Sequence, residues 1–174
     1  MKAIKFFALA VIFSGVSVMA TAQNPTHTAT ANASATIVTP ILITKAQDMN
    51  FGNVAVNSTT AGTVVLTPAG TRTQTGGVTL PATTGTVTAA QFNVTGANGY
   101  TFAITLPTTD LTITNPTSQT MTVNNFTSTP SATGTLSGSG AATINVGATL
   151  NVAAGQAAGL YQNATGFEVI VNYN

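Results

Sequence analysis

The sequence predicts an all-β protein, a single antiparallel β-sandwich preceded by an export signal and an extended arm. Three observations carry this. Apolar residues alternate with Thr, Asn or Ser along most of the chain, the period of a half-buried strand. Of the 174 residues 36 are threonine, a β-branched residue suited to the solvated face of a pleated sheet. Breaks rich in Gly, Pro and Ser (Pro68-Ala69-Gly70, Asn115-Pro116, Ser137-Gly138-Ser139-Gly140) cut the chain into strand-length pieces, as sandwiches and barrels require.

Residues 1–5 are basic, 6–19 are apolar, and Ala20-Thr21-Ala22 is a small-x-small cleavage site. This tripartite pattern predicts a secretory signal peptide over residues 1–22. The apolar run is shorter than the roughly 20 residues of a membrane span, and no stop-transfer charges follow. The expectation is therefore export to the periplasm, cell surface or medium, with no membrane insertion after cleavage. Residues 23–34 form an N-terminal extended arm, and residues 35–174 the sandwich domain. Within 28–37 the alternation is strict, with Ala29, Ala31, Ala33, Ala35 and Ile37 on one face. Two readings stay open for it. It is the first strand of its own domain, or a leader into that strand. Alternatively it is a donor strand that joins a neighbour's sheet through main-chain hydrogen bonds.

Strands are expected over residues 35–44, 62–67, 77–80, 111–114, 120–126, 142–152 and 167–173. Pro40 should make the first an edge, a bulge or a switch between sheets. Residues 90–106 read as a β-hairpin, because Asn98-Gly99 is a tight-turn signal between two alternating runs. Residues 127–140 are poor in apolar side chains and are expected to be an exposed loop. In the last run Phe167, Val169, Val171 and Tyr173 share one face.

Only seven residues are Asp, Glu, Lys or Arg. Removal of Lys2 and Lys5 leaves Lys45 and Arg72 against Asp48, Asp110 and Glu168, so two minus three gives −1. Such a chain has no electrostatic footprint for nucleic acid or anionic lipid. It has no Cys, so its stability must come from its apolar core. The single His27 lies in the Thr-rich arm, away from any nucleophile and carboxylate a triad would need. The three remaining acids are scattered, so neither a glycosidase pair nor a calcium cluster is indicated. The expectation is a non-enzymatic protein with no metal and no cofactor. Lys45 and Asp48 should form a surface ion pair. Asn-x-Ser/Thr sequons at Asn32, Asn57, Asn93, Asn125 and Asn163 are what so Asn- and Thr-rich a chain holds by chance. Recurring Thr-x-Thr steps support the alternative of a monomeric binding module for glycans or surfaces.

Six segments together resemble a family of exported bacterial proteins known as domain of unknown function 4402. They are Ala35-Thr36-Ile37-Val38-Thr39-Pro40-Ile41, Met49-Asn50-Phe51-Gly52-Asn53-Val54, Gly62-Thr63-Val64-Val65-Leu66, Pro68-Ala69-Gly70-Thr71-Arg72, Gly147-Ala148-Thr149-Leu150-Asn151-Val152 and Val169-Ile170-Val171-Asn172-Tyr173. The family in turn is distantly similar to spore-coat-U-like and archaic chaperone–usher pilins. The shared features are Phe51-Gly52 after a first strand, the step Gly159-Leu160-Tyr161, and a last strand ending in an aromatic. The resemblance implies an immunoglobulin-like or pilin-like sandwich and a structural subunit of a surface fibre or coat. It also implies self-association or a periplasmic chaperone as partner, with Phe167, Val169, Val171 and Tyr173 as the chaperone-binding strand.

Overall fold

The computed structural model describes residues 26–174. The expected signal peptide lies outside them. The chain divides into two units, Met1–Thr36 and Ile37–Asn174. In the first, residues 26–36 are exposed and belong to no strand. The second contains, in chain order, β1 (Leu42–Gln47), β2 (Ala55–Val56), β3 (Gly62–Leu66), β4 (Arg72–Gly76), β5 (Val78–Thr79) and β6 (Ala90–Thr95). Then come β7 (Thr101–Thr105), β8 (Leu111–Thr114), β9 (Thr120–Thr129), β10 (Thr133–Thr135), β11 (Ala141–Val152) and β12 (Ile170–Tyr173).

All pairing is antiparallel, and the sheets curl as a half-barrel. The largest sheet is organised on β11, which pairs β9 along one edge and β6 then β3 along the other. Gly147 stands where β6 gives way to β3; a Cβ there would overlap the Leu66 carbonyl oxygen. β1 lies outside β6, β4 outside β3 and β8 outside β9. A second sheet has the order β10-β7-β12, and β2 pairs β5 in a third.

Alternation explains the packing. Ala90, Phe92 and Val94 of β6 and Ile144 and Val146 of β11 face Phe102 and Ile104 of β7 and Val171 of β12. This first core closes with Leu136 and Val169. The remainder of the β11 face, with Val64, Val123, Leu150 and Val152, forms a second core. It is capped by Val78 and by half-buried residues of the 49–56 segment.

Four expectations are corrected. The first strand begins at Leu42, not residue 35: residues 35–41 pair with no strand, and Pro40, lacking an N–H, stands two residues before the ladder. Residues 90–106 are not a hairpin, because β6 and β7 belong to different sheets. The segment 96–99 passes from one sheet to the other, half-buried at Gly96 and Ala97 and exposed at Asn98 and Gly99; Gly96 N–H donates to the Gly140 carbonyl and Gly99 N–H to that of Leu136. Residues 127–140 are not a loop throughout. They hold the end of β9, all of β10 and the fully buried Leu136. β10 lies so close that Gly134 sits flat on the Phe102 ring, and a Cβ there would overlap that ring. The last strand starts at Ile170, three residues later than expected. Alternation also missed β4, whose sequence Arg-Thr-Gln-Thr-Gly has no apolar face. β4 is held through β3, with the Thr63 and Thr75 hydroxyls bonded at 2.7 Å.

Candidate functional site

Two openings expose apolar surface. The larger, about 1,070 Å³, lies over the second core. Its floor is the sheet face formed by Leu111 and Ile113 of β8, Met121 and Val123 of β9, and Leu150 and Val152 of β11. Leu111, Ile113 and Met121 are only half buried, although their alternation marks them as core residues.

One wall is the 48–56 segment. Arg72, reaching across from β4, donates through one guanidinium nitrogen to the Phe51 carbonyl and, at 3.0 Å, to that of Asn53. Asn53 Nδ2 donates to the Thr83 carbonyl at 3.1 Å, and Asn50 and Thr88 exchange backbone bonds. The Arg72 charge thus braces a loop instead of facing a ligand.

The other wall is the 156–163 segment. The Tyr161 hydroxyl accepts from Asn115 Nδ2 at 3.1 Å and Gln156 Nε2 at 2.9 Å, and donates to the Ala157 carbonyl at 2.9 Å. Thr114 and Gln162 exchange backbone bonds, and Asn163 Nδ2 donates to the Thr112 carbonyl at 2.6 Å. Local turns on this side follow one rule. In Asn115-Pro116-Thr117 and Asn163-Ala164-Thr165 the Asn side-chain oxygen accepts both the N–H and the hydroxyl of the Thr two residues on. Asn57-Ser58-Thr59 does the same beside β2. These are Asx-turns.

The smaller opening, about 290 Å³, is a seam between β1 and the chain entering β12. It is lined by Ile43, Lys45, Phe92, Phe167, Val169 and Ile170, among others. β1 pairs only β6 and β12 pairs only β7, so both strands are sheet edges here. Phe167 packs on Phe126 at 4.8 Å and on Phe92 at 6.1 Å between ring centroids. Tyr173, past the seam, accepts the Ala97 N–H at 2.6 Å and donates to the Thr39 carbonyl at 2.7 Å.

The residues singled out from sequence separate into two groups. Val169 and Val171 are buried, Phe167 and Tyr173 half-buried. Ala29, Ala31, Ala33 and Ala35 are exposed and unpaired, and Ile37 is 97% exposed. Lys45 and Asp48 form the expected ion pair at 2.7 Å. Asp110 and Glu168 are exposed. Sequence reasoning missed the larger groove. Its one local signal was the apolar set Met49, Phe51, Val54 and Val56, which keeps neither period.

The profile of one family, described as a domain of unknown function (DUF4402), matches residues 41–173. No curated protein and no solved structure matches the chain.

Proposed function

Because the chain belongs to the DUF4402 family, whose description carries no activity, we propose a function from geometry: an exported structural subunit, non-enzymatic, that assembles into a surface fibre or coat by β-strand addition. The observation that carries it is the unpaired outer edge of β12 beside an apolar seam. An immunoglobulin-type sandwich sets strands A-B-E-D in one sheet and C-F-G in the other. The order β1-β6-β11-β9 follows the first set, and β7-β12 follows C-F. On that reading the seventh position, next to β12, is filled by no strand among the described residues. A strand added there finds free main-chain groups on β12 and apolar side chains such as Phe92, Val169 and Ile43 beneath it.

The donor on this reading is residues 28–37 of a second copy. Its small alternating residues suit a narrow seam, and it is exposed and belongs to no strand. A periplasmic chaperone is the partner that would occupy the same edge before assembly. The experiment is deletion of residues 23–34, read by electron microscopy and size-exclusion chromatography. Loss of polymers with a folded product supports donor-strand addition; a folded, still-polymerising product overturns it.

A further inference from the structure

We propose that the larger groove is a binding site for a neutral, largely aliphatic ligand, a fatty alcohol or other uncharged acyl-chain amphiphile. Its volume of about 1,070 Å³ is slightly above the range of about 300–1,000 Å³ for small-molecule sites. The occupant follows from what the lining can and cannot offer.

The floor is hydrocarbon. Leu111, Ile113, Met121, Val123, Leu150 and Val152 present alkyl side chains on one sheet face. A charged ligand has no partner there, since Asp48 is the one charged residue of the lining and it is already paired with Lys45. A glycan needs several polar groups free to bond. Three of the five wall amides donate to the protein, Asn53 to Thr83, Asn163 to Thr112, and Gln156 to Thr120 and Tyr161, which leaves few to hold a sugar. An extended peptide needs main-chain partners. Over the floor β11 is paired along both edges, β9 lies between β8 and β11 at Thr122 and Val123, and the outer edge of β8 is engaged by Gln162 and Asn163. A strand lying on this face would leave its own backbone unsatisfied, whereas an alkyl chain has nothing to satisfy. The site is thus chemically unlike the β12 edge, and the inference does not rest on strand addition.

The methionines give a direct readout. The full chain has four, Met1, Met19, Met49 and Met121, and the last two line the groove. The full chain, labelled with carbon-13 at its methionine methyls, is titrated with decanol, sodium decanoate and maltohexaose and followed by NMR. The expected result is a saturable shift of Met49 and Met121 with decanol, at least about fivefold weaker binding of decanoate, and no shift with maltohexaose. Ile113→Asn should weaken decanol binding about tenfold or more. If that variant does not fold, Leu160→Ser at the rim, where Leu160 is 68% exposed, should weaken it about threefold. Overturning results are an absent or non-saturating decanol shift, tighter binding of decanoate, or a saturable shift with maltohexaose, which would assign a glycan instead. Unchanged decanol affinity in whichever variant folds overturns it equally.

Discussion

Replacing Tyr173 by Phe removes one oxygen and keeps the ring. The ring stays against Tyr100, 5.6 Å away in an edge-on contact. The hydroxyl bonds two segments distant in sequence, the Ala97 N–H between β6 and β7 and the Thr39 carbonyl ahead of β1. The Thr39 bond is exposed and its loss costs about 0.5–1 kcal/mol. The Ala97 N–H is left without its acceptor at a half-buried site, which costs about 1–2 kcal/mol. Together the loss is about 1.5–3 kcal/mol, or about 3–12 °C in Tm for a chain of this size. The assay is urea unfolding of the full chain, with an unchanged m-value as the sign of a native-state effect. The control is Tyr100→Phe: Tyr100 is 46% exposed and its hydroxyl makes no hydrogen bond among the described residues, so its loss should stay within about 0.5 kcal/mol. A Tyr173→Phe effect no larger than that of Tyr100→Phe would refute the reasoning.

Gly134→Ala should destabilise by about 1–3 kcal/mol, because the added methyl overlaps the Phe102 ring and that ring is fully buried; thermal unfolding checks it. Arg72→Ala should unfasten the 51–53 carbonyls, seen as at least about tenfold faster hydrogen exchange in residues 50–54 with little change in β7. Asn115→Ala removes bonds to Thr117, Gln119 and Tyr161 and should cost about 2–4 kcal/mol, since the site is buried and several donors lose one acceptor. Ile170→Lys, at a side chain 49% exposed on the β12 edge, should leave folding stability within about 0.5 kcal/mol. It should nevertheless suppress polymer formation by electron microscopy, as charge protects a sheet edge.

Alternation made the strands legible and left their partners unread. β3, β6, β7, β8 and β11 coincide closely with the periodic runs, because each has one face that must be buried. The Asn98-Gly99 turn, however, permits either a hairpin or a passage between sheets. What decides is β11, twelve residues long, which supplies β6 with a partner 46 or more positions away in sequence. β10 was unread for a similar reason. Thr133–Thr135 has no apolar pattern, and only the Phe102 ring beneath Gly134 gives it a place. The groove is least legible of all. Leu111, Ile113 and Met121 look like core residues locally, and their exposure depends on how little the 48–56 and 156–163 segments cover.

The two openings differ in what their occupant's backbone requires, and that yields a last test. The β12 edge has free main-chain groups, and of the two charged residues at its seam Lys45 is paired with Asp48 and Glu168 stands only at the entry, so it favours a strand. The groove floor has its main chain paired and presents hydrocarbon, so it favours a chain without amides. Phe167 is the one residue that borders both. If the two sites act separately, chain saturated with decanol should polymerise at the rate of the free chain, followed by light scattering. Binding that tilts the Phe167 ring would instead change the seam's floor and the rate with it. Phe167→Leu should then remove that dependence, because a smaller side chain no longer reaches both openings. A decanol-dependent rate that survives Phe167→Leu would refute the separation of the two sites by backbone chemistry and point to one continuous binding surface.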